Sequence, residues 1–144
     1  PDGFEGFRWG TSEESITSEL AVRSSVDLSR LRPGLRGLEA TVTIGGVSAV
    51  AKFYFQDDAL ERVILRFPYR DYLIVRRFVT ERYGRPGYET ATLSLWGGRQ
   101  QTEILLSRSV PATPYASLTF FSAEYEAKAI EDGADSAPPD TTAT

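Results

Sequence analysis

The sequence predicts an α+β domain: two helix-plus-three-strand units forming one antiparallel sheet with both helices packed on one face. Three observations predict it. Residues 38–44 alternate apolar and polar side chains as a half-buried strand does. Residues 72–83 repeat apolar positions at helical steps and end at a glycine. Two Gly-Gly pairs, at 45–46 and 97–98, stand 52 residues apart, each between strand-like runs. The two halves share no residue-level repeat, so the expected duplication is one of structure.

The first helix is expected from Thr11. Thr11 and Glu14 have capping-box spacing, and Ser12 can cap instead in a shifted register. Ile16 and Leu20 then share one face, with Glu13, Ser18 and Glu19 mostly outward, and the helix fades near Arg23. Phe7 and Trp9 are expected to pin the segment before it to the core. Residues 24–37 read as a linking segment with a Pro33-Gly34 turn.

In the first meander Leu38, Ala40, Val42 and Ile44 alternate with Glu39, Thr41 and Thr43. Gly45-Gly46 turns the chain, residues 47–55 return, Gln56-Asp57-Asp58-Ala59 turns again, and residues 60–67 make a third strand. Pro68 stops the sheet. Asp71 then caps a helix in which Val75, Phe78, Val79 and Arg82 follow three- and four-residue steps. Gly84 holds the place of a C-cap glycine, with Pro86 after it. Residues 90–96 and 101–107 read as a second hairpin about Gly97-Gly98, residues 110–116 as a loop, and residues 117–125 as a sixth strand. The domain is expected to span 1–130. Residues 131–144 are acidic, small and Pro-rich, which predicts a disordered tail or tether.

Composition excludes several function classes. A chain of 144 residues suits one domain, and its mean hydropathy of −0.26 with 41% apolar residues suits a soluble one. No window supplies the roughly 20 uninterrupted apolar residues of a spanning helix, so no transmembrane segment is expected. There is no His and no Cys. The usual zinc and iron–sulfur sites and the Ser-His and Cys-His nucleophile pairs are therefore out of reach. No catalytic residue, metal or cofactor is expected. Met is also absent, so Pro1 is expected to be a processed or truncated start, with any signal peptide already gone. The absence of disulfides does not argue for secretion.

The net charge of −4 lies in the tail, where Glu131, Asp132, Asp135 and Asp140 face no Lys or Arg. The body is neutral, with arginine in 14 of the 16 basic positions. A neutral body with an acidic tail argues against nucleic acid as a partner.

Individual motifs resolve mostly into structure. Residues 6–16, Gly-Phe-Arg-Trp-Gly-Thr-Ser-Glu-Glu-Ser-Ile, resemble a phosphate loop at first sight. A P-loop, however, needs four residues between its glycines and a Lys before the Ser/Thr. A dinucleotide fingerprint needs a parallel strand–helix–strand unit, which the hairpins deny. Glu13 and Glu14 would also repel a phosphate. Asp57-Asp58 and Glu13-Glu14 are adjacent carboxylates that diverge, and aspartate in a hairpin is ordinary turn chemistry. No spaced oxygen-ligand loop for calcium appears.

The sheet offers more. If Leu38, Val42, Val63, Leu65, Leu93 and Leu95 meet the helices, the other face carries Tyr54, Arg62, Arg66, Trp96 and Phe121. Aromatics and arginines on a wet sheet face suit partner recognition, and these five are the candidate binding residues. A register error of one residue would bury them instead. Base stacking on such a face would need an RNP-type signature, which Val-Ala-Lys-Phe-Tyr-Phe lacks.

Residues 7–16, the aromatic strand at 53–67, Glu-Arg-Tyr-Gly-Arg-Pro at 81–86, Trp96 and Thr-Glu-Ile-Leu-Leu-Ser at 102–107 line up as a set. In that order they resemble a broad group of small bacterial exported proteins and lipoproteins, over residues 4–125. The arrangement is similar in outline to the β-lactamase-inhibitor-protein-like fold, without that fold's disulfides and with no inhibitory loop to carry over. The resemblance implies helix-plus-meander repeats, a sheet face or loops that bind another protein, and a place in the periplasm or on the outer surface. The expected function is a non-enzymatic, extracytoplasmic protein-binding domain, an accessory subunit of an envelope complex. Alternatives are an inhibitor or regulator of a specific enzyme acting through the sheet face, and a carbohydrate- or small-ligand-binding module using Trp96 and Tyr54.

Overall fold

The computed structural model describes residues 3–97, 102–108 and 114–122. The tail at 131–144, with the acidic residues assigned to it, lies outside them, as do Gly98 and most of the expected 110–116 loop. In chain order the elements are β1 Gly3–Phe4, β2 Phe7–Arg8, α1 Glu13–Thr17, β3 Val22–Asp27, β4 Leu35–Ile44, β5 Val47–Gln56 and β6 Ala59–Pro68. A 3-10 turn at Tyr69–Asp71 leads into α2 Tyr72–Tyr83, followed by β7 Tyr88–Glu89, β8 Leu93–Trp96, β9 Thr102–Ser107 and β10 Tyr115–Ser122.

Eight strands form one antiparallel sheet in the order β3-β4-β5-β6-β10-β9-β8-β7, and β1-β2 form a separate two-stranded ribbon. The described chain is therefore mostly β, and the expected two helix-plus-three-strand units are corrected. Two local causes account for it. The first helix is five residues long, because Ser18 closes it with backbone bonds to Glu14 and Ile16. The expected linker supplies an extra strand instead, with Ser25 opposite Leu38 and Val26 opposite Gly37. Its Ser-Ser-Val run looks like a linker because an edge strand exposed on both sides needs no apolar alternation.

The local chemistry of the turns is largely as the residue types require. Gly45 and Gly46 have φ of 58° and 85°, the left-handed pair of a two-residue hairpin. A Cβ at Gly45 would stand 2.9 Å from the Phe78 Cβ, so α2 sits directly over this turn. Asp57 and Asp58 take the same left-handed geometry (φ 53° and 64°) at the next hairpin. Ser12, in the shifted register, is the N-cap of α1: its Oγ accepts from Ser15 N at 3.3 Å, while Asp58 Oδ1 accepts from Glu13 N at 3.1 Å. Thr11 is used otherwise, its carbonyl accepting from Leu60 N at 2.9 Å. The N-terminal segment is thus tied to the start of β6.

One core lies between the sheet and the elements packed on it. Phe53, Leu65, Leu118 and Phe120 are fully buried from the sheet, Ile16 from α1 and Val75 and Val79 from α2. Phe4 packs edge-to-face on Phe53 and Phe120, with centroids 5.9 and 5.0 Å away. Phe7 and Trp9 pack against the same core, and Trp9 Nε1 donates to Thr102 Oγ1 at 2.7 Å. No helix among the described residues is long and apolar enough to cross a membrane.

Candidate functional site

Alternation along a strand sends successive side chains to opposite faces, and registered partners on neighbouring strands share a face. The core residues therefore fix which residues lie on the other face, open in the sense that no helix among the described residues packs on it. Both helices and the β1-β2 ribbon contribute to the core side. On the open side, Leu28 from the β3–β4 connection packs against Leu35, Tyr54 and Ile64.

One row of partners crosses the open face through seven strands: Glu39, Lys52, Ile64, Thr119, Leu105, Leu95 and Tyr88. It starts charged on β4 and β5 and turns apolar toward β7. Ile64 and Thr119 are buried, Leu105 and Leu95 half-buried, and Tyr88 exposed. A second row places Tyr54, Arg62 and Phe121 side by side. The Arg62 guanidinium lies 4.1 Å from the Tyr54 ring centroid, close enough for a cation–π contact, and both side chains are buried. Arg66 faces Val50 and Ser117 further up the strands, and its guanidinium stands 5.7 Å from the Tyr115 ring.

The structure thus brings Tyr54, Arg62 and Phe121 together and keeps Arg66 on the same face. Trp96 is on the opposite face. It is 4% exposed within the main core, opposite Ile104, and its indole N–H donates to the Gly84 carbonyl at 2.7 Å. Leu93 and Leu95, expected under the helices, take the open face in its place. The cause is Ser94, whose fully buried hydroxyl donates to Glu89 at 2.6 Å. Arg76 of α2 holds the same carboxylate through two bonds of 2.8 and 2.9 Å. That partner lets a serine point inward, which inverts the usual polar-out rule for Leu-Ser-Leu-Trp. The Glu89 carboxyl is pushed down to about 2, first by its bonds from Arg76 and then by the bond from Ser94.

Reading the sequence alone misses Lys52, Ile64, Leu105, Leu95 and Tyr115 as members of this face. Lys52 left a signal, being a lone cation at an outward position in an otherwise apolar and aromatic strand. The row of leucines left none, because its direction depends on Ser94.

A shallow concavity of about 240 Å3 opens near one end of the face. Val50 and Ile64 form part of its wall with Tyr115, and Arg23, Lys52 and Arg66 bring positive charge to it. Among the described residues no group of three or more His, Cys, Asp or Glu gathers as a metal site would need. The fold and face define a class, an antiparallel sheet that carries both described helices on one side. Compared with known protein families, curated proteins and solved structures, the chain matches none, so the site rests on its own geometry.

Proposed function

We propose that this chain is a non-enzymatic protein-binding domain that uses the open face of its sheet. One observation carries the reading: the registered row Ile64, Thr119, Leu105, Leu95 and Tyr88, which runs across five strands on the side away from both helices. Leu105 and Leu95 within it are apolar and half-buried, Tyr88 ends it on one side, and Lys52 stands beside Ile64 on the other. That is the composition of a protein contact surface, an apolar middle within a polar margin. The extracytoplasmic setting and a role as accessory subunit of a bacterial envelope complex are part of the proposal and are supported by the family resemblance. The alternative of a carbohydrate module loses its pair of rings, since Tyr54 and Trp96 are buried on opposite faces.

Site-specific crosslinking in the source cells tests the reading. A photoreactive residue at position 105 is expected to give a discrete adduct with another protein, and Leu95→Glu in the same chain should abolish it. The same group at Leu73, 70% exposed on the outer side of α2, should give none. Adducts from position 73 alone, or none from 105, would overturn the proposal.

A further inference from the structure

We propose that the concavity at the β3–β6 side of this face is the anchor point for an acidic segment of the partner protein. The inference rests on the sheet-face reading and adds the chemistry of what binds there.

Charge is the first argument. Arg23, Lys52 and Arg66 line the concavity, against the single carboxylate of Glu39. Glu39 is directly opposite Lys52 in the strand register, yet its Oε2 is drawn to Arg23 Nε at 3.7 Å. That leaves Lys52 and Arg66 with no carboxylate partner among the described residues, although four other arginines hold close ones: Arg32 of the β3–β4 connection pairs with Glu61, Arg36 with Glu13, Arg76 with Glu89 and Arg82 with Glu5. Lys52 and Arg66 are half-buried and stand on neighbouring strands, in diagonal positions across the Val50–Arg66 and Lys52–Ile64 pairs. Diagonal neighbours are about 7–8 Å apart at their Cα atoms, near enough for two long cations to converge on one carboxylate.

Shape is the second. About 240 Å3 is below the range of about 300–1,000 Å3 that encloses whole small molecules, and it fits a side chain offered by a larger body. Val50, Ile64 and the Tyr115 ring suit the methylenes of a glutamate, whose head would then reach the two cations. The row begins at Ile64, so a partner anchored by its acid there continues across Thr119 onto Leu105 and Leu95.

The test uses the full chain and a nine-residue peptide alternating glutamate with valine, with a matching lysine peptide as control. By 15N-labelled NMR titration, the glutamate peptide should shift the amides of Val50, Lys52, Ile64 and Arg66, and the lysine peptide should not. Lys52→Ala and Arg66→Ala should each weaken binding roughly tenfold, as loss of one charge-assisted contact does. Arg77→Ala, on the exposed side of α2, should leave it unchanged, and melting curves should show all three variants folded. Equal binding of the two peptides, or unchanged affinity in Lys52→Ala and Arg66→Ala, would overturn the anchor. So would a tenfold gain in affinity on removing residues 131–144, which would make the chain's own acidic segment the occupant. If the anchor fails while the crosslink from position 105 persists, the face reading stands alone; if that crosslink is missing too, both fall.

Discussion

On the face that meets the helices, β5 and β6 present Phe53, Val63 and Leu65, all fully buried. On the other face the same two strands present Lys52, Arg62, Ile64 and Arg66. The covered face is held by apolar contact and by a few polar clamps to α2. The open face combines a stacked Tyr54–Arg62 pair, two cations with no carboxylate partner among the described residues and two half-buried leucines in one row. By alternation alone, one pair of strands carries stability on one side and, in the function proposed above, recognition on the other. Mutations should separate the two.

The largest effect is expected on the covered face. Phe53→Ala removes a ring packed by Phe4 and Phe7 and should cost about 3–5 kcal/mol in denaturant unfolding. Trp96→Ala should be nearly as severe, roughly 3 kcal/mol, because it leaves a cavity and strips the Gly84 carbonyl of its donor. Trp96→Phe, which keeps most of the apolar volume, should recover all but about 1 kcal/mol of that loss. A near-silent Trp96→Ala would return Trp96 to the open face. Leu105→Ala should cost only about 1 kcal/mol while weakening partner capture, the reverse of the tryptophan's pattern.

Smaller effects are expected from the clamps. Glu89 has a folded pKa of about 2 against an ordinary 4.5, so its contribution is present above pH 4.5 and is lost as pH falls toward 2. Acid unfolding of Glu89→Gln should therefore lack this part of the slope. Tyr83 moves the other way. Burial first, and then the nearby Glu5 carboxylate that accepts its O–H at 3.2 Å, raises it to about 12. The stabilisation is intact below pH 10 and is lost as pH rises from 10 to 12. Tyr83→Phe should flatten that alkaline limb, whereas Leu105→Ala should leave both limbs as they are.

How much of this was legible depends on where each residue's partner lies. The hairpin at Gly45-Gly46, the turn at Asp57-Asp58 and α2 with its closing Gly84 all follow from short-range chemistry, and the structure has them where the residues predict. Strand β3 was hidden because Ser24 and Ser25 on an exposed edge carry no pattern. The face of β8 was hidden because the inward turn of Ser94 depends on Glu89, five residues away on the paired strand, and on Arg76 of α2, and neither enters the alternation of β8 itself. The same slip exchanged Trp96 for Leu95, so four of the five residues singled out for binding share the open face and the fifth is core. Lys52 and Tyr115 matter through neighbours on other strands, which periodicity in one strand does not disclose.

The position of β10 has a further consequence, for the order of events during folding. The last described strand in sequence lies at the centre of the sheet, with Ala116 opposite Phe67 on one side and Leu118 opposite Leu106 on the other. Until it docks, β6 and β9 are both raw edges, and the chain is two unjoined ribbons with half a core each. Local hairpins can form early, but closing the seam spans nearly fifty residues of intervening chain, a costly non-local step that slows folding. Cooperativity therefore resides in β10: a chain cut before Tyr115 would lose not a margin of the sheet but the join between its halves.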